Sequence, residues 1–414
     1  MSRRGILVLV VLVAGGAALS VLAASRQRPG TDFHAKWMFG RLFYAGEPVY
    51  VLRPDVRGPP NYPPFAAMAF QVLAVFPLKV AAGLFYFGNL VLSVVAVRLT
   101  RRVVRRLWPE RDTRVWPLVV AAVCTAQFYL NNLNLVQIDV LLFVVVLWAI
   151  AAYLDGRDIA AAVGFVVATA VKLIPVFFVL WLLVRGRRRA AIAAGPIAAA
   201  CLLLPIVQRG PERGIQDLKD YHALALKGVG EGAIDASYTN QSLGAAIDRS
   251  TRPPQHPDAR DYRVLPASAT AARTVAQVAA ALVALALVAN LYWLRWSGEP
   301  FSTFEFAAVF LTGHLVSAVT WKSHLVTLLF VVYAVLAIPR RPLPGAWRAG
   351  LGALAIAFGA VGVAGRDIVG NDLHHWIGGY SLLVWTMLLA WAVVMTLSHR
   401  RFRVWEGSSP LESQ

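Results

Sequence analysis

The residues best suited to chemistry in this sequence stand at the edges of its apolar stretches. Asp32 lies about eight residues after the first apolar run, so its carboxylate can reach a reaction at a bilayer surface. There it could act as a general base on a hydroxyl group, provided that the hydroxyl proton lies within hydrogen-bond distance. The structural alternative is that Asp32 caps the turn or helix that begins at Phe33.

Lys172 is the second candidate, because it interrupts an apolar stretch three residues before Pro175. A lysine at that depth is costly unless its charge is paired. An anionic partner such as a lipid phosphate would offset that cost. Alternatively, the side chain extends along apolar surface until its ammonium group reaches the interface.

Two further polar segments carry groups that bind phosphates and sugars. Lys322 and His324 can donate hydrogen bonds to phosphate oxygens, and Trp321 offers an apolar face to a sugar or a lipid. Tryptophan is also common at membrane interfaces as an anchor alone. Asn240-Gln241-Ser242 matches a glycosylation acceptor pattern, but together with Arg249 it would equally suit a sugar or a phosphate.

The composition indicates that lipid surrounds the elements that position these residues. The 414 residues are 58% hydrophobic and 15% charged, whereas soluble domains are about 45–50% apolar and about 25% charged. The net charge of +18 comes largely from short arginine runs between apolar stretches, a pattern typical of cytoplasmic loops, so no nucleic-acid partner is expected. The two cysteines lie inside apolar runs, which argues against a disulfide framework.

The hydropathy and charge patterns predict an all-α integral membrane protein of about 11–12 transmembrane helices with both termini cytoplasmic. The first apolar run is long for a signal peptide, so we expect a retained helix. The predicted crossings are Gly5–Ala24, Val80–Val97, Trp116–Leu130, Ile138–Leu154, a broken pair meeting at Lys172–Pro175, Ala190–Val207, Ala271–Trp293, Phe304–Thr320, Leu325–Ile338, Trp347–Val363 and Ile377–Leu397.

The broken pair and the loops follow from counting the residues available for each crossing. Only about 27 residues separate Arg157 from Arg185, which is too few for two crossings of about 20 residues each, so we expect two short helices. Phe65–Phe76 is also too short to cross and is predicted as an interfacial or re-entrant helix. The whole chain, 1–414, forms one membrane domain, with outer loops at 25–63 and 208–270.

These segments, in this order and on one predicted side of the membrane, resemble glycosyltransferase family 87. The resemblance rests on Asp32, on Tyr44-Ala45-Gly46-Glu47-Pro48-Val49-Tyr50, on Asn61-Tyr62-Pro63-Pro64-Phe65, on Gln137, on Lys172 with Pro175, on Asn240-Gln241-Ser242-Leu243 with Arg249, and on Trp321 with His324. This family contains membrane mannosyltransferases of the GT-C superfamily that use polyprenyl-phosphate mannose. The resemblance implies a GT-C-like helical bundle with extracytoplasmic loops and interfacial helices.

The resemblance also implies a reaction and the residues that perform it. A hexose, mannose in particular, would pass with inversion from a polyprenyl-phosphate donor to a lipid-linked or cell-envelope glycan, at the extracytoplasmic face of a bacterial plasma membrane. Asp32 would be the catalytic base. The donor phosphate and sugar would be bound by Lys172, Arg249, Lys322 and His324, and the substrates would contact Tyr62, Gln137, Asn240, Gln241 and Trp321.

Two other classes of function stay open at the level of sequence. A transporter or flippase for lipid-linked sugars would suit the broken helix at Lys172 and Pro175, but a base in an outer loop has no obvious place in it. An assembly partner would leave the outer polar residues unexplained. No nucleotide-binding motif and no acidic cluster are evident, so neither a cofactor nor a metal is expected beyond the lipid-linked donor.

Overall fold

The computed structural model describes residues 3–56, 61–108, 115–226, 235–254, 260–338 and 345–399. Within these ranges every regular element is a helix, which confirms the all-helical class. The arginines at 340–341 and 400–403, which support part of the charge argument, lie outside the described residues. The 17 α-helices that the structure describes are α1 Arg3–Ser25, α2 Asp32–Tyr44, α3 Pro64–Ala74, α4 Leu78–Leu107, α5 Trp116–Asn134, α6 Asp139–Leu154, α7 Asp158–Val171, α8 Val176–Arg185, α9 Arg188–Arg209, α10 Pro211–Tyr221, α11 Leu243–Thr251, α12 Ala269–Trp296, α13 Thr303–Val316, α14 Leu328–Leu336, α15 Gly345–Val363, α16 Arg366–Gly379 and α17 Leu382–Leu397.

Two short helices of other types complete the described elements. A π-helix, His222–Leu226, continues from α10. A 3₁₀-helix, Lys322–Thr327, leads into α14 and carries two of the predicted site residues.

Membrane-spanning character is clearest in three helices. α4, α9 and α12 are each long and apolar enough to cross a bilayer, and Ala349–Val363 with Arg366–Gly379 would make a fourth span bent by 107°. Eight shorter apolar helices of 10–17 residues accompany them. At 1.5 Å per residue such helices fall short of a hydrocarbon core of about 30 Å unless neighbouring elements extend them. The count of 11–12 crossings therefore stays a prediction.

The predicted break at Lys172 is confirmed, since α7 ends at Val171 and α8 begins at Val176. Other boundaries differ from the sequence prediction. α17 begins at Leu382 rather than Ile377, because Ser381 takes a left-handed conformation with φ of 58°. α13 ends at Val316 rather than Thr320, because Ser317 leaves the helical conformation. Both predicted outer loops contain helices: α2 in the first, and α10, the π-helix and α11 in the second.

The core and the lipid-facing surface are distributed as a membrane protein requires. α13 is buried on all sides, from Thr303 to Leu315, which is the pattern of a helix enclosed by other helices. In contrast, α1 and α12 expose large apolar side chains, such as Leu12 and Leu285. Exposed apolar surface of that extent is stable only against an apolar solvent or partner.

Ion pairs distinguish one end of the bundle from the other. At one end, called the arginine end here, Asp155 accepts from Arg102 and Arg106, and Arg185 pairs with buried Glu305. α4, α6 and α8 finish at this end, and α7 and α13 start from it. The opposite end, called the site end here, holds Asp32, the start of α6 and the break between α7 and α8.

α2 is fixed at several points, so it can hold Asp32 in place. Gly40 lies so close to α3 that a Cβ there would meet the Phe70 carbonyl oxygen at 2.2 Å. The Trp37 Nε1–H donates to the Phe76 carbonyl at 2.9 Å. Near the end of α2, the Arg209 guanidinium donates to backbone carbonyls including that of Phe43, and this satisfies helix-terminal acceptors.

Candidate active site

Asp32 is the first residue of α2, and its carboxylate is not used to cap that helix. The N-cap is Thr31, whose side-chain oxygen accepts the His34 backbone N–H at 3.3 Å. The Asp32 Oδ2 instead accepts a hydrogen bond from Gln137 Nε2 at 3.0 Å. The capping alternative is therefore wrong, and the half-buried carboxylate is positioned by a residue 105 places away in the chain.

Gln137 reaches Asp32 because the turn between α5 and α6 is tightly held. Val136 has a positive φ of 49°, and the Gln137 N–H donates to the Asn132 carbonyl at 2.9 Å. From α4, the Asn89 side-chain amide donates to the Gln137 carbonyl at 2.9 Å. The backbone of Gln137 is thus bonded on both sides, which leaves its side chain to orient Asp32.

Lys172 forms an ion pair with a carboxylate of the same chain, an outcome that neither alternative from the sequence included. Its Nζ lies 2.6 Å from Asp139 Oδ1, and the two side chains are 15% and 7% exposed. Lys172 follows α7 in an extended conformation, and Asp139 begins α6. Asp139 Oδ2 has no hydrogen-bond partner among the described residues. Its second oxygen is therefore available to a ligand or to water.

His324 presents a hydrogen-bond donor beside this pair. Its Nδ1 accepts the Trp321 backbone N–H at 3.3 Å, so in the neutral ring the proton lies on Nε2. The Trp321 ring lies 5.9 Å from the His324 ring. The 3₁₀-helix therefore places the His324 imidazole beside the Lys172–Asp139 pair, with the Trp321 indole against that imidazole.

A pocket opens from this polar group into the apolar interior of the bundle. Its polar end contains Asp139, Lys172, His314, His324 and Thr327. Its remaining walls are almost entirely apolar: Leu142, Phe143, Val146, Ile174, Pro175, Phe178, Val309, Phe310 and Gly313. A pocket with a cationic, hydrogen-bonding end and apolar walls beyond it suits a phosphate that is attached to a hydrocarbon chain.

At the pocket, α13 approaches the helix break closely. A Cβ on Gly313 would lie 3.2 Å from the Ile174 carbonyl oxygen, so a larger residue would crowd the segment that carries Lys172. Farther in, the Phe178 and Phe310 rings pack edge to face with centroids 4.6 Å apart. Aromatic packing therefore defines the inner wall of the pocket.

Tyr62 and Lys36 lie at the same end. The Tyr62 ring packs edge-on against Phe70, and burial is the main cause that raises its pKa, with the charges of Asp139 and Asp32 adding to it. Lys36, one helical turn after Asp32, is 1% exposed and donates to the Asp32 backbone carbonyl at 2.9 Å. The sequence analysis did not single out Lys36. Its spacing of four from Asp32 would have indicated a shared face, had α2 been predicted.

Arg249, Asn240 and Gln241 form a second group, and the N–H donors of their side chains bind oxygen atoms of the protein. Arg249 donates to the Ser237, Asn240 and Gly379 carbonyls and to the Ser381 hydroxyl. The Asn240 amide donates to the Ala318 carbonyl, and the Gln241 amide to the Tyr238 carbonyl. These contacts hold α11 against α16 and α17. A direct role of the three residues in substrate binding remains a prediction.

Lys322 is likewise engaged by a protein group. Its Nζ lies 3.1 Å from His374 Nε2, and His374 Nδ1 lies 3.0 Å from the Ala364 carbonyl. This geometry assigns the imidazole proton to Nδ1 and makes Nε2 the acceptor of the lysine. Of the four residues predicted to bind the donor phosphate, the structure thus brings only Lys172 and His324 together.

Metal ligands are not grouped in the part of the chain that the structure describes. No three His, Cys, Asp or Glu side chains there converge as a bound ion would require. Asp32 and Asp139 are each engaged by a protein donor. The expectation that no metal takes part in the reaction stays a prediction.

Comparison with known proteins places the chain among glycosyltransferases. The model of glycosyltransferase family 87 matches residues 61–318, which include Gln137 and Lys172, whereas Asp32 and His324 lie outside the match. A Mycolicibacterium smegmatis protein is 27% identical over 327 residues, covering 74% of this chain and 68% of its own length. It is named a polyprenol-phosphate-mannose-dependent alpha-(1-2)-phosphatidylinositol mannoside mannosyltransferase.

Two Mycobacterium tuberculosis proteins give similar results. One, with the same name, is 26% identical over 315 residues, or 72% of this chain and 67% of its own length. The other, named for a phosphatidylinositol pentamannoside acceptor, is 27% identical over 337 residues, or 81% of this chain and 68% of its own length. Since the family model covers more than half of the sequence, the chain belongs to glycosyltransferase family 87.

Proposed function

We propose that this protein transfers mannose, with inversion, from polyprenol-phosphate mannose to a hydroxyl of a glycolipid or cell-envelope glycan. The names of the relatives support this donor. The observation that carries the proposal is the turn from Gln137 to Asp139. Gln137 holds the Asp32 carboxylate, and two residues later Asp139 holds the Lys172 ammonium at the mouth of an apolar pocket.

Asp32 and Lys172, which the two ends of this turn hold, suit the two parts of a displacement at the sugar: attack by the acceptor hydroxyl and departure of the lipid phosphate. Asp32 takes the proton of the acceptor hydroxyl, whose oxygen then forms a bond to C1 of the mannose. The bond between C1 and the phosphate oxygen breaks, and its electron pair leaves with the polyprenyl phosphate. One displacement with one base inverts the configuration at C1. Hydrogen-bond donors placed in advance would stabilise the charge that develops on the phosphate, and Lys172 and His324 would supply them.

The apolar pocket is evidence for the lipid part of the proposed donor. Phosphate at the Lys172 end would place the first isoprenoid units between the phenylalanines of α6, α8 and α13. A membrane-embedded donor can enter such a site from the bilayer. It needs no nucleotide, consistent with a sequence that contains no nucleotide-binding motif.

The distribution of charge supports an extracytoplasmic active site. Arg102, Arg106, Arg185 and Arg187 all lie at the arginine end of the described helices, opposite Asp32. Arginine-rich ends face the cytoplasm in most membrane proteins. The site end would therefore face outward, where lipid-linked sugars serve as donors in place of nucleotide sugars.

The transporter alternative loses its main support. Family membership is that of a glycosyltransferase, and the broken helix at Lys172 supplies a wall of the pocket. A flippase would also have no use for a carboxylate that is held by a glutamine at one end of the bundle.

A transfer assay tests the proposal directly. The purified protein in lipid vesicles would receive radiolabelled polyprenyl-phosphate mannose and phosphatidylinositol mannoside acceptors. We expect Asp32→Asn to lower transfer by about 10²–10⁴-fold, the usual contribution of a general base. Asp55→Asn is the matched control, since Asp55 lies in the same outer segment and pairs only with Arg53 among the described ion pairs. Equal rates in the two variants would remove Asp32 as the base, and transport without transfer would restore the flippase.

A further inference from the structure

Lys36 is buried in a way that its protein partners do not explain. It is among the largest fully buried side chains of the described residues, at 1% exposure. Lysine is almost never buried to this extent without an ion-pair partner. No ion pair of Lys36 occurs in the described ranges, and its ammonium donates one hydrogen bond there, to the uncharged Asp32 backbone carbonyl. Of the three N–H donors of the ammonium group, two are therefore left for a ligand.

The titratable groups that face Lys36 are Asp32 on its own helix, Asp139 at the start of α6, Lys172 at the α7–α8 break and His324 in the 3₁₀-helix. Both carboxylates are already engaged, Asp32 by Gln137 and Asp139 by Lys172. Burial is the main cause that lowers the pKa of Lys36 to about 8, opposed by the Asp32 charge and reinforced by Lys172. An anion between the two lysines would relieve their repulsion.

The chemistry of the proposed reaction supplies such an anion. A polyprenyl-phosphate sugar is a phosphodiester with one negative charge. When the bond between C1 and the phosphate oxygen breaks, the leaving polyprenyl phosphate becomes a monoester, and its second charge develops on the departing oxygen. The second ionisation of a phosphomonoester lies at about pH 6, so the product is a dianion above neutral pH.

We infer that Lys36 is a second phosphate-binding residue, which stabilises the charge that develops on the leaving lipid phosphate while Lys172 binds the charge already present. The inference rests on the proposed function and deepens it. Asp32 and Lys36 are four residues apart on one helix, with Cβ atoms about 5–6 Å apart in such a pair. The base and the cation that receives the leaving charge thus belong to one helix, which Gly40 and Trp37 hold in place.

This role has a kinetic signature that a merely structural role would lack. A group that acts on the developing charge contributes more to the transition state and the dianionic product than to the donor. Lys36→Met should therefore lower kcat by about 10²–10³-fold, as the loss of one pre-placed donor does. It should weaken inhibition by polyprenyl phosphate at least fivefold more than it raises the KM for the donor. A packing defect would change the two constants by the same factor.

The experiment compares wild type, Lys36→Met, Lys36→Arg and Lys79→Met, purified in one detergent and checked for equal thermal midpoints. Lys79, exposed near the start of α4, is the matched control and should leave all constants unchanged. Wild-type inhibition by polyprenyl phosphate should weaken as the pH rises past about 8 and Lys36 loses its proton. Lys36→Arg should shift that loss to higher pH, and this readout holds even if Lys36→Met does not fold.

Two results would overturn the inference. One is a kcat for Lys36→Met within twofold of wild type, and the other is an equal change in donor KM and in product inhibition. If wild type transfers no sugar, the proposed function fails separately. Binding of radiolabelled polyprenyl phosphate then decides about Lys36 alone, because equal binding by wild type and folded Lys36→Met refutes the phosphate site.

Discussion

The Lys172–Asp139 ion pair yields a sharp prediction about stability. Lys172→Met would leave Asp139 with no hydrogen-bond donor among the described residues, since Oδ1 loses its lysine and Oδ2 has none. Breaking a buried pair by removing one partner costs about 3–5 kcal/mol. Both side chains are far less than one-third exposed, but Lys172 lines a pocket that water can enter, so we expect the lower limit of about 3 kcal/mol for this change and for Asp139→Leu.

The double variant Asp139→Leu/Lys172→Met removes both charges and should be less destabilised than either single variant. Replacing a buried ion pair by apolar residues of similar size is often neutral. At about 1–2 °C per kcal/mol for a chain of 414 residues, each single variant should lose about 3–6 °C in thermal midpoint, and the double variant no more than about 2 °C. Tryptophan fluorescence during heating in one detergent, at one scan rate, measures all four proteins. Additive losses, with the double variant lowest, would refute the conclusion that the pair is a buried and mutually dependent unit.

Three further predictions test the packing, the second polar group and the orientation. Gly40→Ala should destabilise the protein by about 1–3 kcal/mol because its Cβ collides with a carbonyl of α3, whereas Gly88→Ala, with nothing within 4 Å, should be neutral or stabilising in thermal unfolding. Arg249→Met should lower the thermal midpoint with a donor KM within twofold of wild type; a tenfold higher KM at an unchanged midpoint would instead support its predicted phosphate role. In intact cells, a membrane-impermeant maleimide should label Leu52→Cys but not Arg189→Cys, since the two exposed positions lie at the site end and the arginine end, and the reverse pattern would contradict an extracytoplasmic site.

The apolar elements of this fold were accessible from the sequence because hydropathy and arginine runs mark them directly. The break at Lys172 followed from chain length alone, since two full crossings do not fit between Arg157 and Arg185. α2 was missed for the opposite reason. Its 13 residues mix aromatic side chains with Lys36 and Arg41, so it carries neither the length of a span nor a clear polar face.

The partners of the polar residues could not be predicted in the same way. Arg249 is as basic as Lys172 in the sequence, yet one is bonded to backbone carbonyls and the other lines the pocket. What separates them is contact between distant segments, such as the 130 residues between Arg249 and Gly379. For the same reason the sequence showed no sign that Asp139 pairs with Lys172 or that Lys36 is buried.

The turn from Gln137 to Asp139 has a consequence for how sequences of this kind can vary. Its first residue orients Asp32 and its third binds Lys172, so the two contacts depend on the number of residues between them. One inserted residue would rotate Asp139 by about 100° around the axis of α6 and point it away from its partner. We therefore expect related enzymes to keep the length of this turn fixed even where they exchange its middle residue, while insertions accumulate in the long segment between α10 and α11.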